Sequence, residues 1–455
     1  MSLNAIDAGV VTTNSTAKFA KDKAPKLVKN TLTGVKHFGE SGVKLVTDSR
    51  LGRWAGNKTG ALIDKVRTGQ VLEFNKKISK LGIGAGAIKS MSDLKNIDKI
   101  TQLMILLIAL LFFIIFFWCY NKLQLNQNNC KSLTNLYKND FPLLSSINKT
   151  NPIYQYKLRD YTIKTAYNCC SAGNFKNDFV NLCALKNCIK QGARCLDFEI
   201  YSVHGVPVVA VSSKTDFNVK ESYNSVSFSD AMTIISTYAF SGNTCPNPND
   251  PLLLHFRIMS NNSAIYEQMA TILYNTLESR LLGKQFSYEN DGVNLGGYQL
   301  NLLMGKVIIM VDKKNPLYTS TTLYEYVNLA SNAPWVRSMR YRDVIYCQDV
   351  EELKYYNKQQ MTICLPDISA TKSNYSADLV MAYGCQMIGM CFQNFDPYMQ
   401  LYTQRFDDVG SAFILRDVKY RYSPIYIKAP PAQDPKLSYA TKSIQFVKGL
   451  PANFL

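Results

Sequence analysis

The stretch Gly192–Gly205, "GARCLDFEIYSVHG", sets Asp197 and Glu199 two residues apart inside an apolar run. A β-strand alternates its side chains between faces, so both acids point the same way. Two carboxylates on one face of a buried strand repel each other and are costly to desolvate. A metal, a catalytic partner or a salt bridge must compensate them. Similar short runs surround this one. "PVVAV", "LLLHFRI", "KVIIMV" and "QMIGMCF" read as strands, and "SFSDAMTIISTYAF" and "AIYEQMATILYNTLESRLLG" read as helices between them. Strand–helix alternation from about residue 156 to 420 predicts an α/β fold with a parallel sheet, of a length that suits a barrel.

Outward from that region the chain changes character. Ile100–Tyr120, "ITQLMILLIALLFFIIFFWCY", carries no charge, and as a helix it would span roughly 30 Å, the thickness of a bilayer's hydrocarbon core. Trp118 and Tyr120 close it with aromatics of the kind found at membrane interfaces. It begins a hundred residues in, so it predicts a signal-anchor and not a cleaved signal peptide. Lys76, Lys77, Lys80, Lys89, Lys95 and Lys99 precede the span, while Lys122 and Lys131 follow it. The excess of cations before it predicts a cytoplasmic N-terminus and an extracytoplasmic or lumenal C-terminal part. All twelve cysteines lie at Cys119 or later, on the side where disulfides can form. The motifs Asn148-Lys-Thr, Asn261-Asn-Ser and Asn374-Tyr-Ser lie there too.

The net charge is +17, and residues 1–99 hold 18 Lys/Arg against 8 Asp/Glu, a surplus of +10. Such an arm suits anionic lipid, nucleic acid or an acidic protein, or is simply solvated. Its run "GALIDKVRTGQVLEFNKKISKLG" has helical apolar spacing and could lie on a membrane surface. The organisation read from these shifts is a basic arm with short amphipathic segments (1–99), a transmembrane helix (100–120), a polar stalk (121–155), and the strand–helix region, followed by a Pro-bearing tail (429–455).

Several stretches in order resemble one family, the eukaryotic-type phosphoinositide-specific phospholipases C. "TAYNCC", "GARCLDFEIY", "PVVAV", "FSDAMTIISTYAF", "PLLLHFR" and "GKVIIMV" resemble its X half. "YYNKQQMTICLP", "SNY", "YGCQMIGMCFQNFDPYMQLY" and "GSAFILRD" resemble its Y half. The resemblance divides the region into an X-like half (156–314), a connector (315–340) and a Y-like half (341–428). It implies a TIM-like (β/α) barrel with any site at the C-terminal ends of the strands. It also implies a reaction in which two histidines and a calcium ion cleave a phosphodiester.

Matched one at a time, the positions depart from that pattern. The first catalytic His falls on Tyr167, beside Asn168, which retains the calcium-ligand type. The second falls on Val211, or with a one-residue slip on Ser212. The chain has three histidines, His37, His204 and His255, which read as ordinary arm, turn and core residues. Two of the three calcium carboxylates fall on Asp197 and Glu199, and the third on Arg257. A guanidinium could neutralise the acid pair with no ion, since it brings a fixed charge and five donors. The head-group contacts fall on Met310, Asp312, Ile363 and Leu365, where the family has two lysines, an Arg and a Tyr. Cys195 and Cys385 read as small core residues.

The resulting expectation is a membrane-anchored barrel without catalytic histidines or a calcium site, needing no cofactor. It would act as a binding or structural protein with a possible protein partner, for instance as an envelope or virion membrane component. The alternative is a divergent phosphoric diester hydrolase acting on phospholipid and using Tyr167 or His204.

Overall fold

The computed structural model of the chain describes residues 99–138, 142–424, 427–437, 442–447 and 450–454. The basic arm and its amphipathic run lie outside the described residues. The chain divides into two compact units, 1–113 and 114–455. In the first, the described residues are helical. They begin helix α1, Lys99–Leu136, which is long and apolar enough to cross a membrane by length and composition.

The second unit is built on eight parallel strands: β1 (Tyr161–Ala166), β2 (Cys195–Val203), β5 (Leu252–Ile258), β6 (Val307–Asp312), β7 (Leu329–Ser331), β8 (Val336–Arg340), β9 (Met361–Leu365) and β10 (Met387–Met390). Neighbours in space follow chain order, and β10 pairs with β1. The sheet is thus a nearly closed barrel, with no ladder between β7 and β8. Two of its strands, β7 and β8, arise from residues 315–340, the stretch read as a connector. One expected strand is not part of the ring. "PVVAV" forms β3 (Val206–Ala210), which turns back antiparallel on β2 and pairs with β4 (Val226–Ser227). The turn is tight, with His204 and Gly205 both at positive φ. A parallel partner would need a long crossover connection instead.

Helices cover the outside of the ring because each has one apolar stripe to bury. In α3 (Phe228–Tyr238), Phe228, Ala231, Met232 and Ile235 are buried, and Phe228 meets the ring of Phe256 on β5 edge-on at 5.4 Å. In α4 (Ser263–Leu277), Asn262 caps the Ala264 amide and Tyr266, Met269, Ala270, Leu273 and Leu277 are buried. The last long helix, Pro397–Val409, shows how local sequence sets its ends. Asp396 accepts from the Met399 amide, Pro397 occupies the first turn, and Gly410 closes the helix at φ 71°. Only a residue tolerant of left-handed backbone stops a helix this way.

The stretch read as a stalk departs from expectation. The helix that begins with the apolar run does not end at Tyr120 but continues to Leu136. Its C-terminal part is seated on the barrel by a disulfide, Cys130–Cys183, to α2 (Leu182–Lys190). Asn129 donates to Asp178 at 2.7 Å, and the Tyr137 hydroxyl donates to the Phe392 carbonyl at 2.7 Å. Gly173 lies under this contact, where a Cβ would collide with the Asp178 carboxylate. Beyond the helix the chain passes under the barrel, where the Ile147 amide donates to Asp250 at 2.8 Å. The tail carries one antiparallel pair, Lys442–Val447 with Leu450–Phe454.

Asp250 makes this crossing sensitive to pH. Burial pushes its carboxyl up to about 6, against the opposing pull of the Arg194 guanidinium and the Ile147 amide. An acid whose folded pKa is raised contributes stability below its unfolded value, here 3.8, and that contribution is lost as pH rises through about 6. Asp250→Asn should therefore flatten the stability profile between pH 4 and pH 7, measured by denaturant unfolding at each pH. An unchanged profile would show that Asp250 does not bind its proton in the folded state.

Candidate functional site

The parallel register of β2 on β5 builds the site. Asp197 lies opposite His255, and Glu199 lies opposite Arg257. Directly opposed residues share a face, so these four side chains meet on one surface of the sheet. Residues on the other face of β5, such as Phe256, pack outward against α3.

Arg257 is the centre of this group and is almost fully buried. Its Nε donates to Asp197 Oδ1 at 2.9 Å and its Nη2 to Asp197 Oδ2 at 2.7 Å. Nη1 donates to Glu199 Oε1 at 2.5 Å, and Nη2 also reaches Asn168 Oδ1 at 2.8 Å. The bidentate grip on Asp197 is the arrangement a planar guanidinium makes best. The remaining carboxylate lone pairs are also used. Asp197 accepts from His255 Nδ1 at 2.8 Å and from the Asn168 amide at 3.1 Å. Glu199 Oε2 accepts from the Tyr201 hydroxyl at 3.1 Å and the Ser212 amide at 2.9 Å.

The charges stabilise one another. Burial alone would push the Asp197 carboxyl up, but Arg257 and His255 outweigh it and hold Asp197 well below the usual carboxylate range. Burial would likewise weaken the Arg257 cation, and Asp197 and Glu199 reverse that and raise its pKa well above the ordinary value. Asn168 is brought in by a positive φ of 46°, a conformation Asn tolerates better than most residues. The Tyr167 ring lies 5.0 Å from the Arg257 guanidinium and 5.9 Å from that of Arg340. Phe175 meets Tyr167 edge-on at 5.4 Å. Burial pushes the Tyr167 hydroxyl pKa up, partly offset by Arg257 and Arg340.

Above Arg257 a cavity of about 230 Å3 opens, lined by Glu199, Lys214, Phe217, Asp312, Lys314 and Arg340 among others. Of the positions matched to head-group contacts, Asp312 alone borders it. Asp312 accepts from Asn332 at 2.6 Å and from the Lys314 amide at 3.0 Å. Met310, Ile363 and Leu365 are buried members of the apolar core. Val211 is core as well, while the next residue, Ser212, offers its amide to Glu199. His204 is exposed in the β2–β3 turn.

The donor set does not suit calcium. That ion takes six to eight oxygens at 2.3–2.6 Å, and the oxygens of Asp197, Glu199 and Asn168 instead surround a fixed cation. Among the described residues no group of three or more His, Cys, Asp or Glu side chains could hold a metal.

His255 is the residue that sequence reading missed. Read as an ordinary core histidine, it is buried, but it binds Asp197 through Nδ1 and Ser331 Oγ through Nε2 at 2.9 Å. The signal was present. The two-residue spacing that puts Asp197 beside Glu199 puts His255 beside Arg257 just as surely. Ser331 and Arg340 come from β7 and β8 and had no such signal.

Comparisons with known proteins agree with this architecture. Residues 324–418 match the family model of the phosphatidylinositol-specific phospholipase C Y domain. No match was found among curated proteins. Among solved structures, L. pealei PLC21 is similar at a TM-score of 0.51 and 18% identity, over 62% of this chain and 39% of that one. S. officinalis PLC21 gives a TM-score of 0.49 at 18% identity with the same coverage. The chain thus spans about 39% of the length of these relatives. Residues 324–418 thus resemble that Y domain, and the barrel that contains them has a phospholipase-C-like fold.

Proposed function

We propose that this is a single-span membrane protein whose phospholipase-C-like barrel is not a hydrolase and serves as a binding or structural module. The observation that carries this reading is the Arg257 guanidinium, seated among the oxygens of Asp197, Glu199 and Asn168 that a catalytic cation would need. The residues at the two matched histidine positions support it. The positions matching the family's two histidines hold Tyr167, whose hydroxyl pKa is raised, and Val211, which cannot titrate. General-base catalysis works best with a pKa near the working pH.

The membrane assignment is supported by α1, whose apolar side chains from Leu106 to Trp118 stand exposed. A cytoplasmic arm and an extracytoplasmic or lumenal barrel are supported by the cations before the span. The Cys130–Cys183 disulfide fits the same topology, since such bonds persist in oxidising compartments. In this reading the arm meets anionic lipid, nucleic acid or an acidic protein on the inner side, the barrel meets a protein partner on the outer side, and no cofactor is required. A component of an enveloped particle's membrane fits this division of charge.

The test is hydrolysis of phosphatidylinositol and its phosphorylated forms in vesicles by the full chain, with calcium and with chelator. No turnover and no calcium-dependent shift in melting temperature are expected. Arg257→Glu should gain a calcium-dependent rise in melting temperature, because it supplies a third carboxylate and removes the resident cation. Calcium-stimulated turnover by the unaltered chain would overturn the reading.

One observation favours a divergent hydrolase instead, the Asp197–His255–Ser331 hydrogen-bond chain. All three side chains are fully buried, and neither His255 nor Ser331 borders the mouth cavity. Turnover abolished by Tyr167→Phe or His255→Gln would establish that alternative.

A further inference from the structure

We propose that Asn148 and Asn261 carry N-linked glycans, and that Asn374, in the third Asn-x-Ser/Thr motif after α1, does not; this rests on the topology proposed above. The three motifs are equivalent as sequence. The fold separates them by what it does with the side-chain amide nitrogen.

At Asn148 the motif forms a local turn on the surface. Its Oδ1 accepts from the Thr150 amide at 3.0 Å and from the Thr150 hydroxyl at 2.9 Å. Asn148, Lys149 and Thr150 are all exposed. The carbonyl end of the amide is used locally, and among the described residues no acceptor takes Nδ2. Asn261 stands exposed between β5 and α4, followed by exposed Asn262 and Ser263. The capping role at that helix belongs to Asn262, not to Asn261.

Asn374 is built into the fold. Its Nδ2 donates to the Asn394 carbonyl at 2.8 Å, the Cys391 carbonyl at 3.3 Å and Asp396 Oδ1 at 3.3 Å. Its Oδ1 accepts from the Cys391 amide at 2.7 Å. These bonds tie the segment before the Ala377–Ala382 helix to the end of β10 and to the cap of the following helix.

The chemistry makes the distinction decisive. In the transfer, Asn Nδ2 attacks the anomeric carbon of an oligosaccharide held on a lipid pyrophosphate. The C–N glycosidic bond forms, the anomeric C–O bond to phosphate breaks, Nδ2 loses one proton, and the lipid pyrophosphate leaves. The nitrogen then carries a bulky sugar outward. At Asn148 and Asn261 that direction is solvent. At Asn374 it would displace three acceptors and break the link between β10 and the next helix.

The experiment expresses the full chain in a eukaryotic secretory system and treats it with peptide N-glycanase in 18O-water. The expected result is two mobility steps on a gel, with the isotope-tagged Asn-to-Asp conversion at 148 and 261 and none at 374. Asn148→Gln and Asn261→Gln should each remove one step. Protease protection in microsomes reports the side on which the barrel lies. A translocated barrel with Asn148 or Asn261 unmodified, or with Asn374 modified, would overturn the assignment of sites alone. The arm has its own motifs, Asn14-Ser-Thr and Asn57-Lys-Thr. Glycans there, with the barrel unprotected, would overturn the topology and the assignment with it.

Discussion

Arg257→Met should destabilise the barrel by about 3–5 kcal/mol, the usual cost of leaving a buried charge without its partner. Methionine keeps much of the side-chain volume, so the loss isolates charge and hydrogen bonding from packing. Four hydrogen bonds go at once, and Asp197 and Glu199 are left side by side on one face of β2 with no cation between them. His255, the Asn168 amide, the Tyr201 hydroxyl and the Ser212 amide remain as donors, but none carries a permanent charge. Arg257→Lys should recover only part of the loss, because an ammonium cannot grip Asp197 with two parallel bonds and reach Glu199 and Asn168 as well. The triple variant Asp197→Asn, Glu199→Gln, Arg257→Met should recover more, since it removes both signs of charge together. Denaturant unfolding of the full chain in micelles, followed by near-ultraviolet circular dichroism, measures all three. A loss below about 1 kcal/mol for Arg257→Met would mean that the acids are compensated by something other than the guanidinium.

Replacing both Cys130 and Cys183 by Ser should cost about 4 kcal/mol. The bond joins residues 53 apart in sequence. In the chain-entropy account the unfolded ensemble regains the freedom of a loop of that length, which sets the magnitude. Non-covalent contacts then hold the end of α1 on the barrel alone. Leu133 and Tyr137 cluster with Ala172 and Ala184, and Asn129 still reaches Asp178. The barrel core is a separate and much larger cluster, so the variant should fold while unfolding at lower denaturant. The reading is made by comparing unfolding midpoints of the unaltered chain and the double variant, each with and without reductant. Reductant should lower the first and leave the second unchanged. Equal midpoints for the two proteins would show that the bond contributes nothing. A chain recovered with these two thiols reduced would argue against an oxidising compartment for the barrel.

The Y-half motif illustrates what kind of information a sequence match carries. Its residues stitch backbone segments together and do not line the mouth. Gln386 accepts from the Thr362 amide and donates to the carbonyls of Arg159, Asn357 and Gln360. The Tyr375 hydroxyl bonds the carbonyls of Cys364 and Gly389, across β9 and β10. The Tyr402 hydroxyl bonds the Ile388 carbonyl and the Thr165 amide, joining β10 to β1. Buried polar groups of this type must find partners or the fold loses stability. They therefore report the barrel, whatever chemistry its mouth performs.

The sequence by itself determined the strand–helix alternation, the apolar run of α1, and the placing of Asp197 beside Glu199 and of His255 beside Arg257. Each follows from periodicity within a single segment, a short-range property of the chain. Tertiary structure alone decided that β2 and β5 are neighbours in a register that sets Asp197 against His255 and Glu199 against Arg257. It also decided that Ser331 and Arg340 join them, that α1 ends on the barrel, and that Asn374 is consumed by the fold while Asn148 is not. These depend on pairings between segments tens to hundreds of residues apart. No local pattern encodes such pairings, because they are selected by the burial and hydrogen bonding of the whole chain at once.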